Sequence, residues 1–299
     1  MNWKDLLYTW FTQYPTPHHL LSKLMLWATR WRFRPWKNWQ IRWFIRRYGV
    51  NVEEIATADP DAYPYFNQFF IRALKPGARP VAADSQALVS SVDGVVSQFG
   101  AISEGTLIQA KGKAFAVSKL LAGDQERARV FTHGSFITTY LAPRHYHRVH
   151  MPFTGKLTGM VYVPGRLFSV NPRTVNHVPG IFARNERLIC YFDTAIGPMA
   201  VILVGAVFVG CIETAWSGTI CPGQHKEILE WDYRQPHNAA RAPVLTKGQE
   251  LGRFNMGSTV IVLTASPNIA WQPDLHCGQE IKMGEIVARA EEETLLRSA

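Results

Sequence analysis

No apolar run in this chain is long enough to cross a bilayer as a helix. The longest, Pro198 to Ile212, falls short of the ~20 residues that a spanning helix needs. Its β-branched residues and the glycines at 205 and 210 predict instead two buried strands, Met199–Val204 and Ala206–Ile212. The four cysteines, Cys190, Cys211, Cys221 and Cys277, have neither metal-site pair spacing nor the density of a disulfide scaffold, and read as free thiols in a reducing compartment. A Gly-x-Ser-x-Gly elbow is missing, which counts against a hydrolase of the usual build. Nothing in the composition suggests disorder or a fibrous repeat; 299 residues with 47% hydrophobic content can bury one large core or two modest ones.

Acidic residues are almost missing from one end. Residues 1–50 hold nine lysines and arginines against the single acid Asp5, a net +8 out of a total of +9. Seven of the ten tryptophans lie there too: Trp3, Trp10, Trp27, Trp31, Trp36, Trp39 and Trp43. Cations interleaved with indoles suit an anionic membrane surface, where charge meets headgroups and the rings sit at the interface. Stacking on nucleic acid, docking on the body and a targeting peptide are the competing readings. No small-residue cleavage site follows an apolar stretch, and nucleic acid is the least favoured partner. The spacing of Leu20, Leu21, Leu24 and Trp27 predicts two or three short amphipathic helices, broken at Pro15, Pro17 and Pro35.

Beyond residue 50 the pattern is mostly short strands between turn signals. Asn67–Leu74 reads as an apolar helix or strand, Leu88–Phe99 as a strand pair around Asp93-Gly94, and Val117–Leu121 as a helix. Further strands are predicted at 129–131, 136–141, 155–163, 187–193 and 258–264, and Pro222–Pro243 reads as a surface loop. The expected fold class is α+β: short amphipathic N-terminal helices, then a predominantly antiparallel β-sandwich or barrel-sandwich-like body. The expected domains are a basic, Trp-rich, membrane-associating helical arm over 1–50 and a catalytic body over 51–299. Glycine turns at 103–107, 247–252 and 277–281 resemble those of biotin and lipoate carriers, which would make Lys111 or Lys113 attachment sites. Simple hairpin closure is the stronger reading.

Two stretches carry chemistry. Phe254-Asn255-Met256-Gly257-Ser258-Thr259-Val260 sets a hydroxyl directly after a glycine carbonyl, ahead of a strand-like run. A serine that turns its Oγ onto the preceding peptide carbon can cut its own chain and leave a reactive carbonyl at the new terminus. The second stretch, Tyr140 to Pro152, holds His145, His147 and His150. Alternation puts His145 and His147 on one strand face, yet no Cys, Asp or Glu stands near to complete a metal shell, so no metal is expected. A general base or proton donor is the better use of an imidazole, and one or two of the three histidines remain open to a purely structural role.

From about Tyr63 to Val287 the sequence resembles the phosphatidylserine decarboxylases. The resemblance rests on ordered blocks: Phe66-Asn67-Gln68-Phe69-Phe70-Ile71-Arg72, Val92-Asp93-Gly94-Val95, Gln109-Ala110-Lys111-Gly112-Lys113, Tyr146-His147-Arg148-Val149-His150, Phe182-Ala183-Arg184-Asn185-Glu186-Arg187 and Gly257-Ser258-Thr259. It implies that Asp93, His150 and Ser258 form a self-cleavage triad, that scission falls between Gly257 and Ser258, and that His147 serves the decarboxylation. Met256 stands where leucine is common, a volume-conserving change. His145 stands where relatives often carry aspartate, which alters the charge beside His147. Arg184, Asn185, Glu186 and Arg187 fit a buried polar network and a substrate rim equally well.

The implied chemistry begins with His150, oriented by Asp93, taking the Ser258 proton as Oγ attacks the Gly257 carbonyl. The peptide becomes an ester; β-elimination of the carboxylate leaves dehydroalanine, which tautomerises and hydrolyses to ammonia and a covalent pyruvoyl group, the cofactor. A large chain 1–257 and a small chain 258–299 result, a heterodimer from one precursor, and the resemblance also allows a dimer of these heterodimers. The ketone at Ser258 would form a Schiff base with the phosphatidylserine amine and accept the electrons released as carbon dioxide leaves, His147 protonating the carbanion to give phosphatidylethanolamine. The expected location is the cytoplasmic face of the cell (inner) membrane, as a peripheral protein, from the lack of an export signal and of disulfide patterning. Two other classes stay open: a membrane-associated serine hydrolase or lipase, and a non-enzymatic peripheral membrane adaptor.

Overall fold

Continuous apolar, β-branched runs form the centre of the molecule because both faces of the sheet they build are covered. In the computed structural model, which describes residues 18–110, 113–207, 211–220, 226–255 and 258–291, every position of the strand Ser258–Thr264 is buried. That strand is central in a nine-stranded sheet whose order is Leu229–Asp232, Gly155–Val163, Arg187–Thr194, Gly197–Val204, Ser258–Thr264, Ser135–Leu141, Gly94–Ala101 and Glu280–Ile281, with Val244–Leu245 added on Gly155–Val163. All its pairings are antiparallel. A four-stranded sheet orders Gly218–Ile220, Ile212–Thr214, Glu250–Phe254 and Arg148–His150, and a three-stranded one orders Ala87–Val89, Ile286–Ala290 and Ile269–Trp271. Thr106–Ala110 and Lys113–Ala116 form a separate hairpin. The expected α+β class, helices followed by a mainly antiparallel body, holds.

The N-terminal helices have two unlike faces. Pro35 sits in the first turn of the helix Arg34–Tyr48 and separates it from His18–Thr29. Ile41, Phe44 and Val50 turn inward and pack with Ile55, Phe66, Phe69, Phe70 and Ile71 in a cluster of their own. Asp61 fastens the same helix through Arg34 and Asn38. Opposite lies a run of stacked or tilted indoles, Trp27, Trp31, Trp36, Trp39 and Trp43, with successive centroids 5.2–6.4 Å apart. Of these, Trp27, Trp31, Trp39 and Trp43 are exposed, as are Leu20, Leu24 and Phe33. Among the described residues no helix is long and apolar enough to cross a membrane.

Several local expectations fail for identifiable reasons. Residues 129–131, predicted as a strand, end the helix Gln125–Val130, because Asp124 caps it by accepting the Arg127 N–H at 2.9 Å. The strands on either side of Asp93 do not pair: Ala87–Val89 joins Ile286–Ala290, whereas Gly94–Ala101 joins Ser135–Leu141. Within the predicted loop 222–243, Leu229–Asp232 extends the large sheet and Pro236–Ala239 is helical. Of the strand expected over Ala206–Ile212, Ala206, Val207 and Cys211 are outside any strand and Ile212 opens the strand Ile212–Thr214, while 208–210 lie outside the described residues. Of the three glycine turns, that at Glu104-Gly105 closes tightly, Ser103 and Thr106 bonding each other; those at Gly248 and Gly278 connect sheets instead. Cys190 and Cys277 are free but Cys211 is disulfide-bonded, which corrects the reading of four free thiols. Spacing along the chain does not reveal which segments a sheet crossing brings together. Pro15, Pro17, Lys111, Cys221, Met256 and Gly257 lie outside the described residues.

Candidate functional site

Two chain segments pass side by side from the large sheet to the four-stranded one. One leaves the large sheet at Leu141 and enters the small sheet at Arg148; the other leaves the small sheet at Phe254 and enters the large one at Ser258. Their ends are locked together, since Ser258 faces Leu141 at one end while at the other Arg253 faces Arg148 and the Phe254 N–H donates to the His147 carbonyl at 3.1 Å. The register thus brings the histidine stretch and the Gly-Ser-Thr stretch into one crossing.

Within it, several buried polar atoms have no partner among the described residues. Ser258 is fully buried and its Oγ makes no hydrogen bond. His147 is equally buried; Nδ1 lies 2.8 Å from the His145 carbonyl and Nε2 has no partner. A carbonyl only accepts, so Nδ1 carries the hydrogen and Nε2 is a bare lone pair. Burial, then the Arg72 charge, push the His147 imidazole well below its ordinary pKa, so the ring is neutral. The Phe70 ring lies 4.0 Å from it, centroid to centroid. Orphaned buried polar atoms are rare in stable folds, and a catalytic role is one of the explanations for those that occur.

His150 is differently engaged. Its Nδ1 lies 2.8 Å from the Gly248 carbonyl, at a left-handed turn (φ +81°), and its Nε2 lies 3.1 Å from the Tyr146 hydroxyl. By the same logic Nδ1 donates and Nε2 accepts from Tyr146. Burial lowers the His150 pKa and raises that of Tyr146 to about 12, so the phenol keeps its proton. Asp93 does not hydrogen-bond His150: it is held by Arg79, with Nε at 2.8 and 3.0 Å from its two oxygens, and by the Met283 N–H at 2.9 Å. Its negative charge still reaches His150 and opposes the burial shift. Gly94 follows because a Cβ there would stand 2.7 Å from the Tyr140 carbonyl oxygen.

The sequence reading missed Asn67, Phe70, Arg72, Arg79 and Tyr146 as supports of the site. Asn67 Nδ2 donates to the Asn255 carbonyl at 2.5 Å, and Arg72 donates to the carbonyls of Arg144 and His145 at 2.9 and 3.1 Å. Asparagine and arginine inside the apolar block 66–72 were the available signal; Arg79 had none. Of the ambiguous quartet, Asn185 bonds the Phe168 backbone and the Gly205 carbonyl, and Arg187 donates to carbonyls of Lys119, Leu120, Ala183 and Asn185, so both serve the fold. His145 accepts the Ala142 N–H at Nδ1 and places Nε2 at 3.8 Å from a Glu280 carboxylate oxygen.

Two cavities of about 260 Å³ flank the crossing. One is charged, lined by Arg72, Arg79, Asp93, Arg144, His145 and Lys282. The other is largely apolar, with Phe44, Tyr48, Phe70, Tyr140 and Leu141 in its wall, and so touches both the arm and the Ser258 register. Among the described residues no group of His, Cys, Asp and Glu could hold a metal ion.

Comparison with known proteins gives one consistent result. The sequence model of the phosphatidylserine decarboxylase family matches residues 66–289, and a second, described as PSD, matches residues 9–49. The chain is similar to the phosphatidylserine decarboxylase proenzyme of Methylococcus capsulatus, 51% identical over 91% of this chain and 93% of that one. It is 50% identical to the proenzyme of that name from Pseudomonas aeruginosa, over 96% of this chain and 98% of that one. The Bordetella petrii proenzyme is 49% identical over 96% and 99%.

Proposed function

Because the chain belongs to the phosphatidylserine decarboxylase family of carboxy-lyases, we propose that it removes carbon dioxide from phosphatidylserine to give phosphatidylethanolamine, after cutting itself between Gly257 and Ser258. The observation that carries this reading is the pairing of two orphans at one crossing: a fully buried Ser258 hydroxyl and the bare Nε2 of His147. Buried side chains left without partners suit a serine that is to be consumed and replaced by a carbonyl. Met256 and Gly257, which join Asn255 to Ser258, lie outside the described residues.

Each residue has a definite task in the proposal. Ser258 Oγ attacks the Gly257 carbonyl carbon; its proton goes to Nε2 of His150, the nitrogen that now accepts from Tyr146. Asp93 favours the resulting imidazolium by its charge, without a hydrogen bond to the ring. Asn67 holds the Asn255 carbonyl, three residues ahead of the nucleophile, and so fixes the run-up to the scissile bond. Elimination and hydrolysis then leave residue 258 as a pyruvoyl group, whose conjugated carbonyl supplies the electron sink for decarboxylation. His147, neutral and walled by Phe70, presents Nε2 as an acceptor, which can take the proton that the substrate amine sheds on condensing with the ketone and return it to the carbanion.

The arm belongs to the same reading. We assign its exposed tryptophans and arginines to the anionic membrane surface that carries the substrate, and the apolar cavity between Tyr48 and Leu141 to part of the lipid. A denaturing gel with intact mass and a decarboxylation assay test the whole proposal. Two fragments, the smaller with a blocked residue 258, and a Ser258→Ala variant that stays at 33.8 kDa and releases no carbon dioxide are the expected results. A single unmodified chain with full activity would reject it.

A further inference from the structure

Arg72 is a buried arginine with no ionic hydrogen bond among the described residues. It is 3% exposed, and its side-chain bonds all end on carbonyls: Phe70 at 3.4 Å, Arg144 at 2.9 Å and His145 at 3.1 Å, while Nε has no partner. Its guanidinium lies over the Phe69 ring, 5.4 Å from the centroid. Burying a cation without a paired anion is costly, so its retention points to something that depends on it. What depends on it here is a peptide: the His145 carbonyl that accepts from Arg72 also accepts the His147 Nδ1–H at 2.8 Å.

We propose that Arg72 is a positioning residue for His147. By gripping the Arg144 and His145 carbonyls it fixes the peptide that takes the His147 Nδ1–H, and thereby selects Nε2 as the nitrogen presented to the reacting centre. Phe69 and Phe70, in the same block as Arg72, complete the mount, one carrying the guanidinium and the other lying against the imidazole. The planar fork matters because its two terminal nitrogens face different acceptors, Nη2 the Arg144 and His145 carbonyls and Nη1 the Phe70 carbonyl, an arrangement in one plane that a single lysine ammonium on a flexible stem reproduces poorly. The charge acts in the same sense: the groups shifting the His147 titration are Arg72 and His145, and Arg72 opposes the imidazolium more than any other neighbour. A neutral ring of defined tautomer follows.

The catalytic consequence rests on the role proposed above for His147, but the positioning does not, and the test separates them. In the uncleaved Ser258→Ala chain, ¹⁵N imidazole spectra should give His147 as the Nδ1–H tautomer, resisting protonation on acidification. Arg72→Met should mix the tautomers and raise the pH at which His147 charges. Arg72→Lys, which keeps a cation, should mix the tautomers with a smaller pH change. In the processed enzyme both variants should lose on the order of 10- to 100-fold in kcat, as for a misplaced catalytic group, with KM within about twofold. Only Arg72→Met should move the acidic limb of the pH profile upward. Unaltered tautomer and titration in a folded Arg72→Met chain would overturn the inference, and so would an unaltered tautomer in Arg72→Lys if the methionine variant does not fold. Altered spectra together with a fully active His147→Ala enzyme would leave the positioning standing and remove the catalytic role of His147.

Discussion

Removing Arg79 separates the structural duty of Asp93 from the chemical one proposed for it. The two side chains are 7% and 8% exposed, and Arg79 also reaches Glu54, whose carboxyl it holds below the usual range. Arg79→Met leaves Asp93 with the Met283 N–H alone, an uncompensated buried carboxylate, at a cost of about 3–5 kcal/mol. Asp93→Asn leaves Arg79 its second partner, Glu54, and should cost about 1.5–3 kcal/mol, the worth of a hydrogen bond to a charged group. The double variant should fall short of the sum by about 1–3 kcal/mol, since the second substitution removes a group the first left unpaired. Urea and thermal unfolding in the uncleaved Ser258→Ala chain at pH 7 measure all four corners; at about 2–4 °C per kcal/mol the Arg79→Met loss is roughly 6–20 °C in Tm. Additive losses, or an Arg79→Met chain within about 0.5 kcal/mol of its parent, would refute the buried-pair argument. With Ser258 restored, Arg79→Met keeps the carboxylate charge and should still cut itself at a temperature where it is folded, whereas Asp93→Asn should not. Equal failure of both would make Asp93 a structural residue only.

Glu186 should impose a pH slope on stability. Burial pushes its carboxyl up to about 8 against the pull of the Tyr162 hydroxyl, so between its ordinary 4.5 and about 8 the folded chain binds more proton than the unfolded one. Stability should fall across that window by about 1.4 kcal/mol per pH unit, and Glu186→Gln should flatten the fall in urea titrations at pH 5 and 8. Gly94→Ala puts a methyl 2.5 Å from Thr139 Cγ2 as well as against the Tyr140 carbonyl, and should cost about 1–3 kcal/mol and slow self-cleavage; normal stability would mean the strands can part there. Trp39→Ser with Trp43→Ser should abolish sedimentation with anionic vesicles while leaving Tm almost unchanged, because both rings are exposed; undiminished sedimentation would locate the membrane contact elsewhere. Fragments from self-cleavage should elute as one species from a native sizing column and separate only in denaturant.

Much of the body was legible because its central strands are buried on both faces and read as unbroken apolar runs. Ser258–Thr264, buried at every position, matches its predicted limits for that reason, and Gly155–Val163, in which an exposed Lys156 interrupts the buried positions, matches through the alternation at its start. The helix over 125–130 was hidden because one capping aspartate outweighed a short apolar run. Pairing partners were not legible either: Asp93 stands between strands of different sheets, a distinction the periodicity of its own segment does not carry. The proposal of Ser258 as nucleophile and of the neighbouring histidines as proton carriers rests on residue type and resemblance. Which ring nitrogen each histidine offers could not be read that way, since it is decided by the carbonyls of His145 and Gly248, and the Asn67 contact spans 188 residues.

The same geometry explains why a chain can survive the proposed cut at this place. Ser258–Thr264 is paired along its length with Leu141–Ser135 on one side, and from Thr259 onward with Val204–Met199 on the other. A backbone break before Ser258 would therefore free one end of a strand that two neighbours still hold. The segment after it adds Ile269–Trp271 and Ile286–Ala290 to the three-stranded sheet, Glu280–Ile281 to the large one, and the Met283 N–H to Asp93. Many buried pairings would have to open together before the small chain could leave. The dependence also runs the other way: Ser258 is buried against Leu141 by the register of the finished sheet, and Asn67 grips the run-up from a helix far back in the sequence. In the proposed reaction the nucleophile would be aimed only once the sheet and the N-terminal cluster have assembled, so folding would precede scission, and the reactive group would arise inside a structure already able to shelter it from water.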